Sequence, residues 1–295
     1  MLTYESLQEY YNKYDRIIAA AMHATHIMSQ GEVEEVAKNI LPFIDHRYIG
    51  DPLQKYSTRI QSLMQMQQEF EVTGKYAAIS YKDIPFVDRE LYNLSLLLSF
   101  ILTNHRFEIL TQLRTFIKRP INGPPIVLSI GAGTGYEITL INTLQPDYTI
   151  EAFEIEKEAL EYANDLLDFY KCPSECLKYE PFPLETAALG EEYKEKYGKI
   201  IMCEVLEHLE KPEQALQNLK NALHKDGEMF LTMAINIAQE DHIYLYSSVE
   251  NAKTQVLDAG LTIIEDFATP VTIFPFKDRD NVKRGNYICV VARTR

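Results

Sequence analysis

The chain has 295 residues and a formal net charge of −14, from 43 acidic and 29 basic residues, and 46% of its residues are hydrophobic. This length allows one large core with a smaller attached subdomain, and the acidic balance argues against nucleic acid as a partner, because phosphate affinity comes mainly from lysine and arginine. The charged N-terminal segment and the shortness of every apolar run predict neither a signal peptide nor a membrane span, so we expect a cytoplasmic protein. Four cysteines lack zinc-ribbon or disulfide-framework spacing, which indicates free thiols.

Residues 1–120 have helical patterns throughout, and we predict a region that binds the substrate or covers it as a lid. In the first predicted helix, apolar residues recur at three- and four-residue steps, as one buried helix face requires. These residues are Tyr10, Tyr14, Ile17, Ile18 and Ala21. Further helices are predicted at Val33–Leu41, where Pro42 ends the helix, from Pro52 to Gln68, and over Asp88–Lys118 as one bent helix or two, with an irregular segment at 72–87.

After Pro120 the pattern changes to short β-branched runs that alternate with helical stretches, and we assign residues 121–295 to a second domain. Alternation of this kind predicts an α/β fold with a mostly parallel sheet covered by helices on both faces. The last two strands lack an intervening helix, so we expect an antiparallel hairpin at the sheet edge. Seven strands are predicted at Ile126–Ile130, Thr149–Phe153, Cys176–Tyr179, Lys199–Cys203, Glu228–Met233, Leu261–Phe267 and Tyr287–Ala292. Helices are predicted near Tyr136–Leu144, Lys157–Tyr170 and Glu213–Leu223, with another from about Ser247.

The strongest local signal is a glycine-rich turn, GAGTG from Gly131 to Gly135, between the first strand and the helix that follows it. Its three glycines let the chain turn tightly and bring backbone amides close to a ligand, because no Cβ intervenes. About 20 residues further on, Glu154 ends the next strand, where an acidic side chain can accept hydrogen bonds from both hydroxyls of a ribose. Ile155 follows and is suited to packing on adenine. The alternative is that Glu154 belongs to a solvated acidic face.

Two classes of cofactor use this geometry, dinucleotides and S-adenosylmethionine, and the Gly-x-Gly-x-Gly spacing favours the second. Residues 126–235 resemble the class I methyltransferases, whose first motif is similar to VLSIGAGTGYE here. The resemblance implies a Rossmann-like, seven-stranded sheet, S-adenosylmethionine as cofactor, and a turn after the fourth strand that lines the methionine end of the cofactor. The expected cofactor-binding residues are Gly131, Ala132, Gly133, Gly135, Glu154, Ile155, Cys203 and Glu204.

The segment after the fourth predicted strand concentrates acidic residues and a histidine. Glu204, Glu207 and His208 lie at i, i+3 and i+4, so a single helical turn would place two carboxylates and an imidazole on one face, as a set of metal ligands. The run resembles the CEVLEHL-like segment of the O-methyltransferases of ubiquinone biosynthesis. It also resembles the Glu-x-x-Glu-His of the small-RNA terminal 2′-O-methyltransferases, in which a later histidine completes a divalent-cation site. That resemblance covers the catalytic domain alone and assigns the later position to His242.

The expected metal ligands, Glu204, Glu207, His208 and His242, offer two oxygens and two nitrogens, which suit Mg, Mn, Fe or Zn. A cation there would bind adjacent substrate oxygens and lower the pKa of an acceptor hydroxyl. We therefore expect Glu207 and His208 to be catalytic residues. Without a metal, His208 or His242 is the candidate general base. The alternative is a solvated turn, with His242 on a surface loop.

The leading functional hypothesis is methyl transfer from S-adenosylmethionine to a small-molecule acceptor, with oxygen as the expected acceptor atom. Three alternatives stay open: an enzyme that transfers or cyclises the aminopropyl group of the cofactor, an RNA terminal 2′-O-methyltransferase, and a non-catalytic cofactor-binding subunit. The acidic charge argues against the RNA alternative. Acceptor specificity is expected in residues 1–120 and at Val271–Arg284, and the helical region offers a surface for a homodimer.

Overall fold

The computed structural model of the chain describes residues 1–48, 50–173, 176–271 and 285–294. Most of the second predicted specificity segment, 272–284, lies outside the described residues. The described part contains seven strands in one sheet. In chain order, β1 to β7, they are Ile126–Ile130, Thr149–Glu154, Leu177–Tyr179, Tyr197–Cys203, Leu223–Ile235, Leu261–Pro270 and Asn286–Thr294.

The sheet has the strand order β3-β2-β1-β4-β5-β7-β6. The pairs among β1 to β5 are all parallel, whereas β7 runs antiparallel to both β5 and β6. The prediction of a Rossmann-like, mostly parallel sheet with an antiparallel hairpin at its edge is therefore confirmed. The carboxyl ends of β1, β2 and β4 meet at one edge of the sheet, on either side of the point where the strand order reverses, which is where ligands bind in such folds.

Six of the ten α-helices formed by the described residues precede the sheet, as predicted for the helical region. In chain order, α1 to α10 are Tyr4–Tyr14, Arg16–Met28, Val33–Arg47, Pro52–Thr73, Arg89–Leu102, Asn104–Lys118, Tyr136–Leu144, Lys157–Phe169, Pro212–Ala222 and Val249–Asp258. Among these helices, none has both the length and the apolar character needed to cross a membrane. The four cysteines, all within the described ranges, form no disulfide.

The first predicted helix is two helices, separated at Asp15. Its backbone is extended, with φ −148°, and its carboxylate accepts hydrogen bonds from the amides of Ile17 and Ile18, which caps α2. The prediction of a single apolar face is therefore wrong, because the residues before and after Asp15 belong to different helices. Tyr14 is 63% exposed and Ile17 is 38% exposed. Asp is a strong N-cap residue, and capping outweighs continuation of the helix here.

Pro42 lies inside α3 and does not end it, contrary to the prediction, since the helix continues to Arg47. A proline inside a helix removes one backbone hydrogen bond and costs about 3 kcal/mol. The next turn buries Phe43 and Ile44, at 1% and 0% exposure, in the core formed by the helical region. Burial of two large apolar side chains is worth roughly 1.5–3 kcal/mol each, which offsets the cost of the proline.

The helical region and the sheet share their cores. Helix α6 packs against the sheet through Phe116, whose ring centroid lies 5.5 Å from that of Phe230 in β5. On the other side, Tyr162 and Leu166 of α8 lie in the core of the helical region. The helical region is therefore held directly over α7, α8 and the carboxyl edge of the sheet; a domain boundary at 120 stays a prediction.

Candidate active site

The glycine turn after β1 has the geometry that only glycine adopts easily. Gly131 and Gly135 have φ of +69° and +77°, in the left-handed region. A Cβ at Gly131 would lie 2.6 Å from Cγ2 of Val205, and one at Gly135 would lie 3.1 Å from Cα of Ala163 in α8. The turn is therefore tight against both neighbours, and its backbone stands open toward the carboxyl edge of the sheet.

Glu154 ends β2 beside this turn and is 6% exposed. One carboxylate oxygen accepts a hydrogen bond of 2.9 Å from the amide of Gly133. The other accepts bonds of 2.7 Å and 2.9 Å from the amides of Ile155 and Glu156. Because each carboxylate oxygen has two lone pairs, the oxygen bonded to Gly133 keeps acceptor capacity for a ligand hydroxyl. The solvated-face alternative does not fit this degree of burial.

A cavity of about 630 Å³, here called the edge cavity, lies between the carboxyl edge of the sheet and the helical region. Its size suits one organic cofactor with part of a second ligand. All the predicted cofactor-binding residues except Gly135 line it: Gly131, Ala132, Gly133, Glu154, Ile155, Cys203 and Glu204. The opposite wall comes from the helical region and from the loop after β3, and no motif predicted it. Among its residues are Tyr81, Arg89, Tyr92, Phe100, Arg106 and Pro181–Thr186.

Glu204 is not on one helical turn with Glu207 and His208, contrary to the prediction. Its own φ is +56°, and a short 3-10 turn begins only at Leu206. The side chain instead lies near Thr232 and Arg106, with 3.7 Å between a carboxylate oxygen and the guanidinium. Burial raises the pKa of the Glu204 carboxyl, and the charge of Arg106 opposes that rise. Glu204 therefore belongs to an ion pair at the cavity wall.

The other three predicted metal ligands, Glu207, His208 and His242, do converge. Each offers one ligand atom, and these atoms all lie within 4.8 Å of one another. Oε1 of Glu207 accepts a hydrogen bond from the amide of Ala234, whereas its buried Oε2 has no hydrogen-bond partner among the described residues. These three residues would hold a divalent cation through one carboxylate and two imidazoles.

The tautomer of each imidazole follows from its hydrogen-bond partner. Nδ1 of His208 lies 2.9 Å from the carbonyl oxygen of Asp241, and Nδ1 of His242 lies 2.8 Å from that of Ile237. A carbonyl oxygen only accepts, so each Nδ1 donates and each neutral ring keeps a lone pair on Nε2. Such a hydrogen bond from the second nitrogen is how proteins orient a ligating histidine.

Burial shifts the pKa values of two residues in this cluster, Glu207 and His242. It raises the pKa of the Glu207 carboxyl well above its usual range, and the negative charge of Glu204 adds to that rise. Burial also lowers the pKa of His242 to about 3, with His208 as a further cause. A ring that weakly basic is a poor general base, but it is always in the neutral form that binds a metal. His242 is therefore the weaker of the two candidate bases, and a catalytic role for His208 stays a prediction.

Behind His208 lies a second cavity of about 80 Å³, here called the inner chamber. It shares Tyr92, Leu96, Arg106, Glu204 and His208 with the edge cavity, so the two spaces meet at these side chains. Its volume holds several water molecules or one small polar group such as a carboxylate. Arg106, which no motif indicated, lines both spaces; its one sequence signal is a charge that closely follows the apolar run Leu94–Leu102.

Comparison with known proteins gives a family and a set of similar folds. The family described as methyltransferase domain matches residues 102–265, more than half of the chain. No curated protein matches at a significant level. The structure of the mitomycin 7-O-methyltransferase MmcR is similar with a TM-score of 0.55 and 14% identity, covering 84% of this chain and 74% of that one. A SAM-dependent methyltransferase from Aquifex aeolicus has a TM-score of 0.43 and 13% identity over 63% of this chain and 88% of its own. The [4+2]-cyclase SpnF has a TM-score of 0.47 and 13% identity over 79% and 96%.

Proposed function

Since this chain belongs to the methyltransferase-domain family and is an S-adenosylmethionine-dependent enzyme, we propose that it methylates an oxygen atom of a small organic acceptor with the help of a divalent cation. One observation carries the proposal: Glu207, His208 and His242 bring an unpaired carboxylate oxygen and two Nε2 lone pairs together beside the inner chamber, which both histidines line. Neutral imidazoles and a carboxylate form a ligand set for a cation such as Mn, Fe or Zn.

The cofactor side of the site fits S-adenosylmethionine. Glu154 keeps a free lone pair beside the glycine turn, as a ribose requires, and exposed Ile155 stands next to it for the adenine ring. The cofactor supplies a methyl group on a positively charged sulfur. The work of the chain is to hold the acceptor oxygen in line with that group and to exclude water, which the helical region does by covering the edge cavity.

The acceptor side of the site is the inner chamber. Glu207, His208 and His242 would hold the cation, which lowers the pKa of a hydroxyl bound to it. His208 lines both spaces, so an acceptor oxygen beside its ring also faces the edge cavity. Arg106 and Glu204 flank the same opening and restrict the approach of the acceptor. Proximity and orientation of this kind supply a large part of the rate of a displacement reaction.

Two features support a small acceptor over RNA. The inner chamber is a compact space walled by helices α4 and α5, and the chain carries a net charge of −14. RNA methyltransferases need contacts with phosphates, and those contacts come from basic surfaces. Formation of a homodimer through the helical region and a cytoplasmic location stay predictions.

The test is calorimetric titration of S-adenosylmethionine into the purified protein, with and without EDTA, alongside elemental analysis and mass spectrometry of products from hydroxylated acceptors. We expect cofactor binding, and a bound metal at one equivalent that Glu207→Gln weakens about tenfold or more, since the amide removes the charge of the ligand. Glu250→Gln, at an exposed position in α10, is the matched control and should bind the metal normally.

Separate outcomes address separate parts of the proposal. Cofactor binding without any metal, under every divalent supplement, would remove the cation and leave His208 as the general base. A product carrying an aminopropyl group would replace methyl transfer. Absence of cofactor binding would overturn the proposed function as a whole.

A further inference from the structure

The inner chamber contains three buried hydrogen-bond donors that have no acceptor. Tyr56, Arg59 and Arg106 are 1%, 6% and 7% exposed, and all three line the chamber. Within the described residues, no hydrogen-bond partner exists for Oη of Tyr56, Nε of Arg59 or Nε of Arg106. Buried polar groups in native proteins are nearly always paired, so three unpaired donors around one cavity indicate a ligand that supplies acceptors.

The two guanidinium groups differ in how closely they pair with carboxylates of the protein. Each Nη atom of Arg59 donates one hydrogen bond to the carboxylate of Glu240, which neutralises its charge, whereas Nε has no partner among the described residues. Arg106 makes no hydrogen bond to any described residue; its nearest anion is Glu204, at 3.7 Å. That distance is an ion-pair contact but is too long for a hydrogen bond. Arg106 therefore keeps a fork of donors, the geometry that pairs with a planar carboxylate.

We propose that the inner chamber is a carboxylate-binding subsite that holds an acidic group of the methyl acceptor through Tyr56, Arg59 and Arg106. The inference rests on the proposed function, because it names the class of acceptor. Three N–H or O–H donors match the four lone-pair positions of one carboxylate. The acceptor class is thus a compact organic acid whose hydroxyl reaches the opening beside His208.

The rest of the chamber wall indicates which carbon skeleton that acid carries. Apolar side chains of Ile60, Leu63 and Leu96 line it together with the aromatic rings of Tyr92 and Tyr287. The chamber's volume of about 80 Å³ holds the carboxylate, so a flat ring or a short branched chain lies against Tyr92 and Leu96, which also line the edge cavity, whereas a sugar or a nucleotide would leave many hydroxyls unpaired. A hydroxylated aromatic acid meets both requirements.

Benzoate and benzamide are the probes, because they have nearly the same shape and differ in charge. Both are titrated calorimetrically into the full-length protein, saturated with S-adenosylhomocysteine and also without it. We expect benzoate to bind at least about tenfold more tightly than benzamide, since a hydrogen bond to a charged group is worth more than one to a neutral group. Equal affinities, or no benzoate binding up to about 10 mM, would overturn the subsite.

Two tyrosine variants separate a binding role from a structural one. Tyr56→Phe removes a donor that has no acceptor in the described structure, so benzoate affinity should fall about tenfold without loss of thermal stability. Tyr11→Phe is the matched control: this equally buried tyrosine donates to the carbonyl of Leu53, so stability should fall and benzoate affinity should stay unchanged. Unchanged benzoate affinity in Tyr56→Phe would contradict the proposal.

The variant Arg106→Gln tests whether this guanidinium binds the acceptor or the cofactor. We expect weaker benzoate binding with normal affinity for S-adenosylhomocysteine. The reverse result would assign the guanidinium to the methionine carboxylate and remove it from the subsite. Failure of the wild-type protein to bind S-adenosylhomocysteine would count against the proposed function, whereas the benzoate titration without cofactor still tests the chamber.

Discussion

At the scale of the residue, the chemistry of the site depends on hydrogen bonds to the main chain. In each candidate ligand one polar atom makes such a bond, and the other polar atom is left available. The Nδ1 protons of His208 and His242 are held by backbone carbonyls, which leaves Nε2 of each ring available. Glu207 uses one oxygen on a backbone amide and keeps the other unpaired. These residues are thus oriented by the main chain around them, and their identity alone would not give that orientation.

Gly131 offers a sharp test of the cofactor turn. We expect Gly131→Ala to lower S-adenosylmethionine affinity at least about tenfold, because its Cβ would meet Val205 at 2.6 Å and push the turn after β4 away from the cofactor. Gly74→Ala is the control: φ there is +66°, nearly the same, but no atom lies within 4 Å of the added Cβ.

The control should lose about 1 kcal/mol of unfolding free energy from backbone strain and keep normal cofactor affinity. Calorimetry and denaturant titration measure the two quantities. Equal cofactor affinity in the two variants would show that the turn tolerates a Cβ and that its glycines serve the backbone alone.

At the scale of the element, a lysine in a strand caps the C-terminal end of a helix. Lys199 in β4 is 2% exposed, and its Nζ donates to the carbonyls of Phe116, Ile117 and Arg119 at the end of α6. The last carbonyls of a helix have no partner within it, and a positive charge there also interacts favourably with the helix dipole. This side chain therefore joins the helical region to the sheet beneath the site.

We expect Lys199→Met to lower the free energy of unfolding by about 3 kcal/mol, because it leaves two buried carbonyls and one partly buried carbonyl without this donor while preserving side-chain volume. Denaturant titration gives the value. Lys225→Met, at an exposed position, should stay within about 0.5 kcal/mol of the wild type. A similarly small effect at Lys199 would mean that water replaces the ammonium at the end of α6.

At the scale of the whole molecule, arginines from the helical region hold it over the sheet. Arg59 in α4 pairs with Glu240, and Arg47 in α3 pairs with Asp165 of α8. Arg89, at the start of α5, lies 3.0 Å from the carboxylate of buried Asp241 and 3.3 Å from that of Glu156. The covering of the edge cavity therefore depends on charged pairs as well as on apolar packing.

We expect Arg89→Met to lower the free energy of unfolding by about 3 kcal/mol and to speed amide exchange in α5, because it leaves the Asp241 carboxylate buried without its partner. Hydrogen exchange without cofactor measures the loosening. Arg16→Met, at an exposed position, should leave exchange unchanged.

The double variant Arg89→Met with Asp241→Asn should recover part of the lost stability, since it removes both charges of the pair. No recovery would mean that Arg89 acts through packing on Tyr92, whose ring centroid lies 5.3 Å from its guanidinium carbon.

Features that depend on local order along the chain were predictable from the sequence. Alternating strand and helix patterns predicted the sheet, and spacing placed Gly131 and Glu154 together, because a strand, a turn and a helix bring nearby residues to one edge. Glu207 and His208, which the run after β4 indicated, also come together with His242, which the family resemblance indicated.

The remaining features of the site depend on tertiary packing. The left-handed backbone at Glu204 turned its carboxylate from the predicted ligand set to Arg106, which no helical periodicity shows. Tyr56 and Arg59 reach the inner chamber from α4, far from the glycine turn in sequence. Such contacts depend on how helices pack over the sheet, and packing is decided by shape and burial across the whole core rather than by any short motif.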